Sequence, residues 1–173
     1  MSKLVLTLLG PDRPGHVEAV AAVIASHEGS WLQSRMAHLA GQFAGILCAE
    51  VPEAQVPKVK LALARLEARG LRVTVEPGEA GDETRRTMEL ELVGLDRPGS
   101  VREVSTLLAG ASVNVEELVT DRMSAPMSGE RLFTATARLH VPASVDLVAL
   151  RSALQRAAKD LLVEITLADV ASS

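Results

Sequence analysis

The sequence has few of the residues that bind nucleic acids or form disulfides. It contains no tyrosine, one tryptophan and two phenylalanines, so side chains on which bases could stack are nearly absent. The net charge is −4 and the longest basic cluster is Arg85-Arg86, whereas nucleic-acid binders usually carry a clustered basic surface. The single cysteine, Cys48, cannot form an internal disulfide, which favours a reducing compartment. We therefore expect a cytoplasmic protein without direct nucleic-acid contacts.

Membrane-spanning runs and catalytic motifs are also missing from the sequence. The apolar runs are far shorter than the roughly 20 residues that cross a bilayer, and "LVLTLLG" after Lys3 has no cleavage site and is predicted to be a strand. The four histidines are scattered and lack a cysteine partner set, and no Gly-x-Ser-x-Gly motif occurs. We expect no catalytic residue, no metal, no cofactor and no membrane contact.

One short motif is present twice. The stretches "GPDRPGHVEAV" (10–20) and "GLDRPGSVREV" (94–104) are identical at seven of eleven positions. A shift of 84 positions also superposes the apolar residues before each motif, which have the period of two that is typical of a strand. These residues are Leu4, Leu6 and Leu8 in the first half and Met88, Leu90 and Leu92 in the second. The chain is thus predicted to be a duplication.

Each half has the pattern of a strand, a helix, two strands, a second helix and a final strand. Gly29 and Gly110 fall where C-terminal glycines of the first helices belong. With right-handed crossovers, this order predicts an α+β fold of two ferredoxin-like units, each a four-stranded antiparallel sheet with both helices on one face. The predicted boundaries are 1–76 and 87–173, joined by a linker over 77–86.

The repeated motif has the features of a small anion site. Its proline suits the first helical position, and its glycine leaves the first turn bare, so the backbone amides and the helix dipole favour an anion. Its aspartate could face the ammonium group of the same ligand, which describes a free amino acid. The residues concerned are Asp12, Pro14 and Gly15 in the first half and Asp96, Pro98 and Gly99 in the second.

A purely structural interpretation of the motif stays open. Each aspartate could be an ordinary helix cap, and Gly10 and Gly94 could simply permit the turn. The chain would then be an interaction module that docks to an enzyme or regulator without any ligand. The fold and the loop arginine also invite comparison with acylphosphatases, but no asparagine is placed to activate a water.

Two consecutive β-α-β-β-α-β units that each open with a strand and "G-x-D-R-P-G" resemble ACT domains, which are small regulatory modules that bind amino acids. The resemblance spans residues 3–169. A chain of two such units, with "SRMAHLAGQFAGIL" in the first and "NVEELVTD" in the second, resembles the glycine cleavage system transcriptional repressor group. The resemblance implies a non-catalytic sensor of glycine or a similar small amino acid, which represses transcription through a protein partner such as a transcriptional activator.

The resemblance also implies which residues hold the effector. In ACT domains the effector lies near the first strand–helix loop, often between two modules, and a polar residue that opens the second strand, commonly asparagine, helps to hold it. By position these residues are Asp96, Arg97, Pro98, Gly99, Ser100 and Asn114 in the second half, and Asp12, Arg13, Pro14, Gly15, His16 and Ser30 in the first. Because Ser30 replaces asparagine, the second site is favoured. His16 is expected to be solvated.

The two predicted sheets differ on the face that the helices leave open. In the first half this face carries Val5, Thr7, Ala44, Ile46, Cys48 and Glu50; in the second it carries Glu89, Glu91, Thr134, Thr136, Arg138 and His140. An exposed apolar face tends to mark an interface, so a homo-oligomer or a protein partner is predicted at the first sheet. A register error of one residue would exchange the faces, but Phe43 and Phe133, placed in the core, argue against it.

Overall fold

A computed structural model of the chain describes residues 1–79 and 86–170. The chain divides into two units, Met1–Gly81 and Asp82–Ser173, here called unit 1 and unit 2. Most of the predicted linker, residues 80–85, lies outside the described residues. No helix in the described ranges is long and apolar enough to cross a membrane.

The elements follow the predicted order in both units. Unit 1 consists of β1 (Ser2–Pro11), α1 (His16–Ser26), β2 (Ser30–Leu39), β3 (Gln42–Val51), α2 (Val56–Ala64) and β4 (Arg72–Pro77). Short 3-10 segments, Glu53–Gln55 and Arg65–Arg69, flank α2. Unit 2 consists of β5 (Arg86–Leu95), α3 (Ser100–Gly110), β6 (Asn114–Ser124), β7 (Arg131–Val141), α4 (Leu147–Leu161) and β8 (Val163–Asp169).

Each unit has a four-stranded sheet with the same topology. The strand orders are β2-β3-β1-β4 and β6-β7-β5-β8, and the neighbouring strands are antiparallel. Alternate residues of β1 and β5 are buried against the helices, because successive side chains of a strand point to opposite faces. These buried residues are Leu4, Leu6, Leu8, Met88, Leu90 and Leu92. The predicted α+β fold of two ferredoxin-like units is confirmed.

The strand register confirms the assignment of the open faces. In unit 1, Val5 is opposite Cys48 and Thr7 is opposite Ile46, and all four lie on the face away from the core. Phe43 packs against the core of unit 1, as the predicted register requires. The open face of unit 2 is not wholly polar. It also carries Val93, whose exposed fraction is 42%, and Val119, at 61%.

The first helix of each unit ends differently from the prediction. The residues with left-handed backbone are Glu28 and Ser112, with φ of 60° at both, and not the predicted Gly29 and Gly110. At the end of α1, the amide of Gly29 donates to the carbonyl of Ile24, five residues back, as in a Schellman motif. Packing explains Gly29 instead, since a Cβ there would lie 2.7 Å from Cγ1 of Val51.

Gly10 and Gly94 allow the chain to approach closely at the end of β1 and β5. A Cβ at Gly94 would lie 2.7 Å from the Cα of Val163, and one at Gly10 would meet the carbonyl oxygen of Gly70.

We expect Gly94→Ala to lower the free energy of unfolding by about 1–3 kcal/mol, because the paired backbones must move apart. Urea denaturation measures the change. Gly110→Ala is the control, since its Cβ would meet nothing within 4 Å; equal stability of the two variants would contradict this explanation.

Candidate functional site

The repeated motif forms a turn between the first strand and the first helix of each unit, and the backbone anchors it to the neighbouring strand pair. The amide of Asp12 donates to the carbonyl of Gly41, and the amide of Asp96 donates to that of Arg131, both at 2.9 Å. The glycine before each helix is left-handed, with φ of 93° at Gly15, a region that L side chains rarely adopt. No atom of the described residues would lie within 4 Å of a Cβ at this glycine in either unit, so among these residues the space in front of the helix is open.

The first-turn amides of α1 and α3 carry no side-chain cap. Within the described part of the chain, no side chain accepts a hydrogen bond at the Gly15 or Gly99 end of these helices. Helix α4 shows the contrast, because the carboxylate of Asp146 accepts from the amides of Val148 at 3.0 Å and Ala149 at 3.2 Å. The capping interpretation of the motif aspartates is therefore wrong. The amides at the start of α1 and α3 are left for another acceptor.

The motif aspartates instead face basic side chains on the second strand of each unit. Oδ2 of Asp96 lies 3.3 Å from Nε of Arg122, and Oδ2 of Asp12 lies 3.6 Å from Nε2 of His38. The side chain of Asp96 is 17% exposed, whereas that of Asp12 is 48% exposed. Neither His38 nor Arg122 was among the predicted site residues, although the shift of 84 positions superposes them.

The first residues of α1 and α3 each form a hydrogen bond with the backbone of the turn. His16 is buried, and its Nε2 donates to the carbonyl of Pro11 at 2.7 Å while its ring lies 5.7 Å from that of Phe43. Ser100 is also buried, and its Oγ donates to the carbonyl of Arg97 at 3.3 Å. The expectation of a solvated His16 was wrong, because its ring is buried and hydrogen-bonded to the backbone of the turn.

A cavity of about 520 Å³ lies against the second turn. All five motif residues from Asp96 to Ser100 line it, together with Arg102, Arg122 and Phe133. Its lining carries one carboxylate and three guanidinium groups beside the uncapped helix start, so the cavity favours a negatively charged group. Its volume is within the usual range of ligand sites. A zwitterion suits it, with a carboxylate at the amides and an ammonium group at Asp96.

The structure separates the predicted site residues of each unit into two groups. The motif residues lie together at one end, with Asp12, Arg13, Pro14 and Gly15 all exposed in unit 1. Asn114 opens β6 opposite His140, and Ser30 opens β2 opposite Glu50, beyond the other end of the first helix. Since that helix has eleven residues, its ends are about 16 Å apart. Asn114 and Ser30 therefore do not contact the motif of their own unit.

Residues 2–76 match the family model of the ACT domain. The first unit is an ACT domain. Unit 2 repeats its strand order and its Asp-Arg-Pro-Gly turn. ACT domains are regulatory modules of the amino-acid-binding type.

Two solved structures resemble the chain along its whole length. An unknown protein from Galdieria sulphuraria is 27% identical, with a TM-score of 0.88 and 98% of each chain covered. A candidate glycine cleavage system transcriptional repressor is 19% identical, with a TM-score of 0.72 and coverage of 98% of this chain and 97% of that one. The second likeness shows the fold alone. A comparison with curated proteins finds no match.

Proposed function

We propose that the chain is a tandem ACT-domain protein and acts as a non-catalytic amino-acid sensor whose effector binds at the second turn. One observation carries the proposal: the uncapped amides of α3 and the shielded carboxylate of Asp96 line the same cavity. The amides donate to the effector's carboxylate, and Arg97 and Arg102 add positive charge beside them. Asp96 accepts from its ammonium group.

The second turn is better suited to this role than the first. The carboxylate of Asp96 is more shielded from water than that of Asp12, so its attraction to an ammonium group is screened less. Its partner Arg122 also lies closer, at 3.3 Å, than His38 lies to Asp12, at 3.6 Å. We therefore place the working site in unit 2.

The output that fits this protein best is negative control of transcription through a protein partner, such as a DNA-binding activator. The likeness to the candidate repressor supports this role, and the acidic, aromatic-poor composition disfavours direct contact with nucleic acid. The effector would favour one conformation of the protein, which the partner recognises. The lone cysteine supports a cytoplasmic location. The name of that repressor points to glycine, while the turn itself recognises groups that all amino acids share.

The open face of the first sheet serves as the interface of a homo-oligomer. It presents Ile46, whose exposed fraction is 51%, next to the partly exposed pair of Val5 and Cys48 on the two central strands. The equivalent position of Ile46 in unit 2 is Thr136, so the two open faces differ at this central position. Apolar patches of this kind on soluble domains tend to be covered by partners.

A thermal-shift panel of free amino acids tests the sensor proposal. A bound effector raises the free energy of unfolding by RT ln(1 + [L]/Kd), which is about 2.7 kcal/mol at one hundred times Kd. We expect at least one amino acid to raise the melting temperature at millimolar concentration. Its N-acetyl and amide derivatives serve as controls and should have no effect, since each lacks one of the two charges. If no amino acid produces a shift, the chain is a ligand-free interaction module.

A further inference from the structure

A second, smaller cavity lies beneath helix α3 in unit 2. It measures about 40 Å³, and its lining is almost wholly apolar. Ala135 and Ala137 of β7 form its floor, and Leu118 of the edge strand β6 forms one side. Three residues, Val101, Ser105 and Phe133, line both this cavity and the larger one at the second turn. The two cavities therefore adjoin.

Comparison of the two units explains why this space exists. Ala137 is paired with Leu90 in unit 2, and the same position in unit 1 is Leu47, which is paired with Leu6 and is fully buried. Val115, also part of the lining, precedes the irregularity in β6 where Trp31 precedes the same irregularity in β2. At both positions unit 2 has the smaller side chain. On β7 this loss of volume is offset by only one methyl group, because Ala135 stands where unit 1 has Gly45.

Unit 2 has a leucine on the edge strand β6 where unit 1 has one on the central strand β3. Unit 1 pairs Ser34 of β2 with Leu47, whereas unit 2 pairs Leu118 of β6 with Ala137. Leu118 is 48% exposed although it lies on the helix-covered side of the sheet. This difference leaves the smaller apolar cavity in the interior of unit 2 and the half-exposed Leu118 beside it. An apolar group that entered between α3 and β6 would fill the cavity and cover Leu118.

We infer that the effector of the second turn is an amino acid with a branched aliphatic side chain of about the size of valine. This inference rests on the proposed function, which places the effector's carboxylate at the α3 amides and its ammonium group at Asp96. The side chain then enters the adjoining cavity, whose 40 Å³ accommodates about three groups of the size of a water molecule or a methyl. Glycine binds at the turn but leaves the cavity empty.

Calorimetric titration of the full chain with glycine, alanine, valine and phenylalanine tests the inference. Each buried methylene should tighten binding roughly fourfold, so valine should bind about 50-fold more tightly than glycine. Phenylalanine should bind no more tightly than alanine, because its ring exceeds the cavity. Equal dissociation constants for glycine and valine would overturn the inference and leave the sensor proposal standing. Absence of binding by all four would overturn both.

A volume-conserving double variant provides the second arm. Leu118→Ser with Ala137→Leu recreates the arrangement of Ser34 and Leu47 in unit 1 and closes the smaller cavity. We expect the dissociation constant of valine to rise to within threefold of that of glycine, while that of glycine changes less than twofold. A retained preference for valine would overturn the inference. If the double variant fails to fold, the panel on the unmodified chain decides alone.

Discussion

Asp96→Asn should weaken amino-acid binding between about tenfold and a hundredfold, which is the usual contribution of a hydrogen bond to a charged group. The substitution keeps the shape of the side chain but removes the negative charge that faces the effector's ammonium group. Stability should change little, because the pair that Asp96 forms with Arg122 has one largely exposed partner. Calorimetric titration measures the first effect and urea denaturation the second.

Two matched variants separate binding from capping. Asp146→Ala removes a cap that the structure shows and should lower the free energy of unfolding by about 1 kcal/mol, with no effect on amino-acid binding. Asp12→Asn is the corresponding change in unit 1 and should leave binding unchanged if the second turn is the working site. A loss of stability in Asp96→Asn equal to that in Asp146→Ala, with binding intact, would contradict the sensor assignment.

The sequence predicts the fold well because its signals are local and occur twice. The alternation of Leu4, Leu6 and Leu8 recurs in the second half, and each copy supports the interpretation of the other. The helix ends were less predictable, since Glu28 and Ser112 adopt the left-handed conformation that glycine usually takes. Packing against Val51 explains Gly29, and a linear pattern does not contain that contact.

The candidate site was only partly predictable for a similar reason. The Asp-Arg-Pro-Gly core is contiguous, so the sequence alone brings its residues together. Arg122 reaches Asp96 only because β6 and β7 form a hairpin that places it beside Phe133. The smaller cavity beside Ala137 exists because unit 2 has an alanine on β7 and a leucine, Leu118, at the paired position of β6. Both features depend on the register of the sheet, which becomes visible only once the strands are paired.

Ile46→Glu should dissociate the proposed homo-oligomer and raise its dissociation constant by at least a hundredfold. Ile46 lies on a central strand opposite Thr7, and half of its surface is exposed on the open face of the first sheet. A carboxylate at this position would lose its hydration in the interface without gaining a partner, which is strongly unfavourable. Sedimentation velocity across a concentration series measures the change, and the melting temperature of the dilute protein should stay nearly constant because the site is exposed.

Thr136→Glu is the matched control for this experiment. Thr136 occupies in unit 2 the place that Ile46 occupies in unit 1, each opposite the middle of the first strand of its sheet. Thr136 is exposed and is paired with Glu91 on one side and Val119 on the other, so a carboxylate at this position stays hydrated and should leave the oligomer intact. If both variants dissociate it, the association does not depend on the first sheet. A parent chain that is monomeric at every concentration would contradict the proposed homo-oligomer.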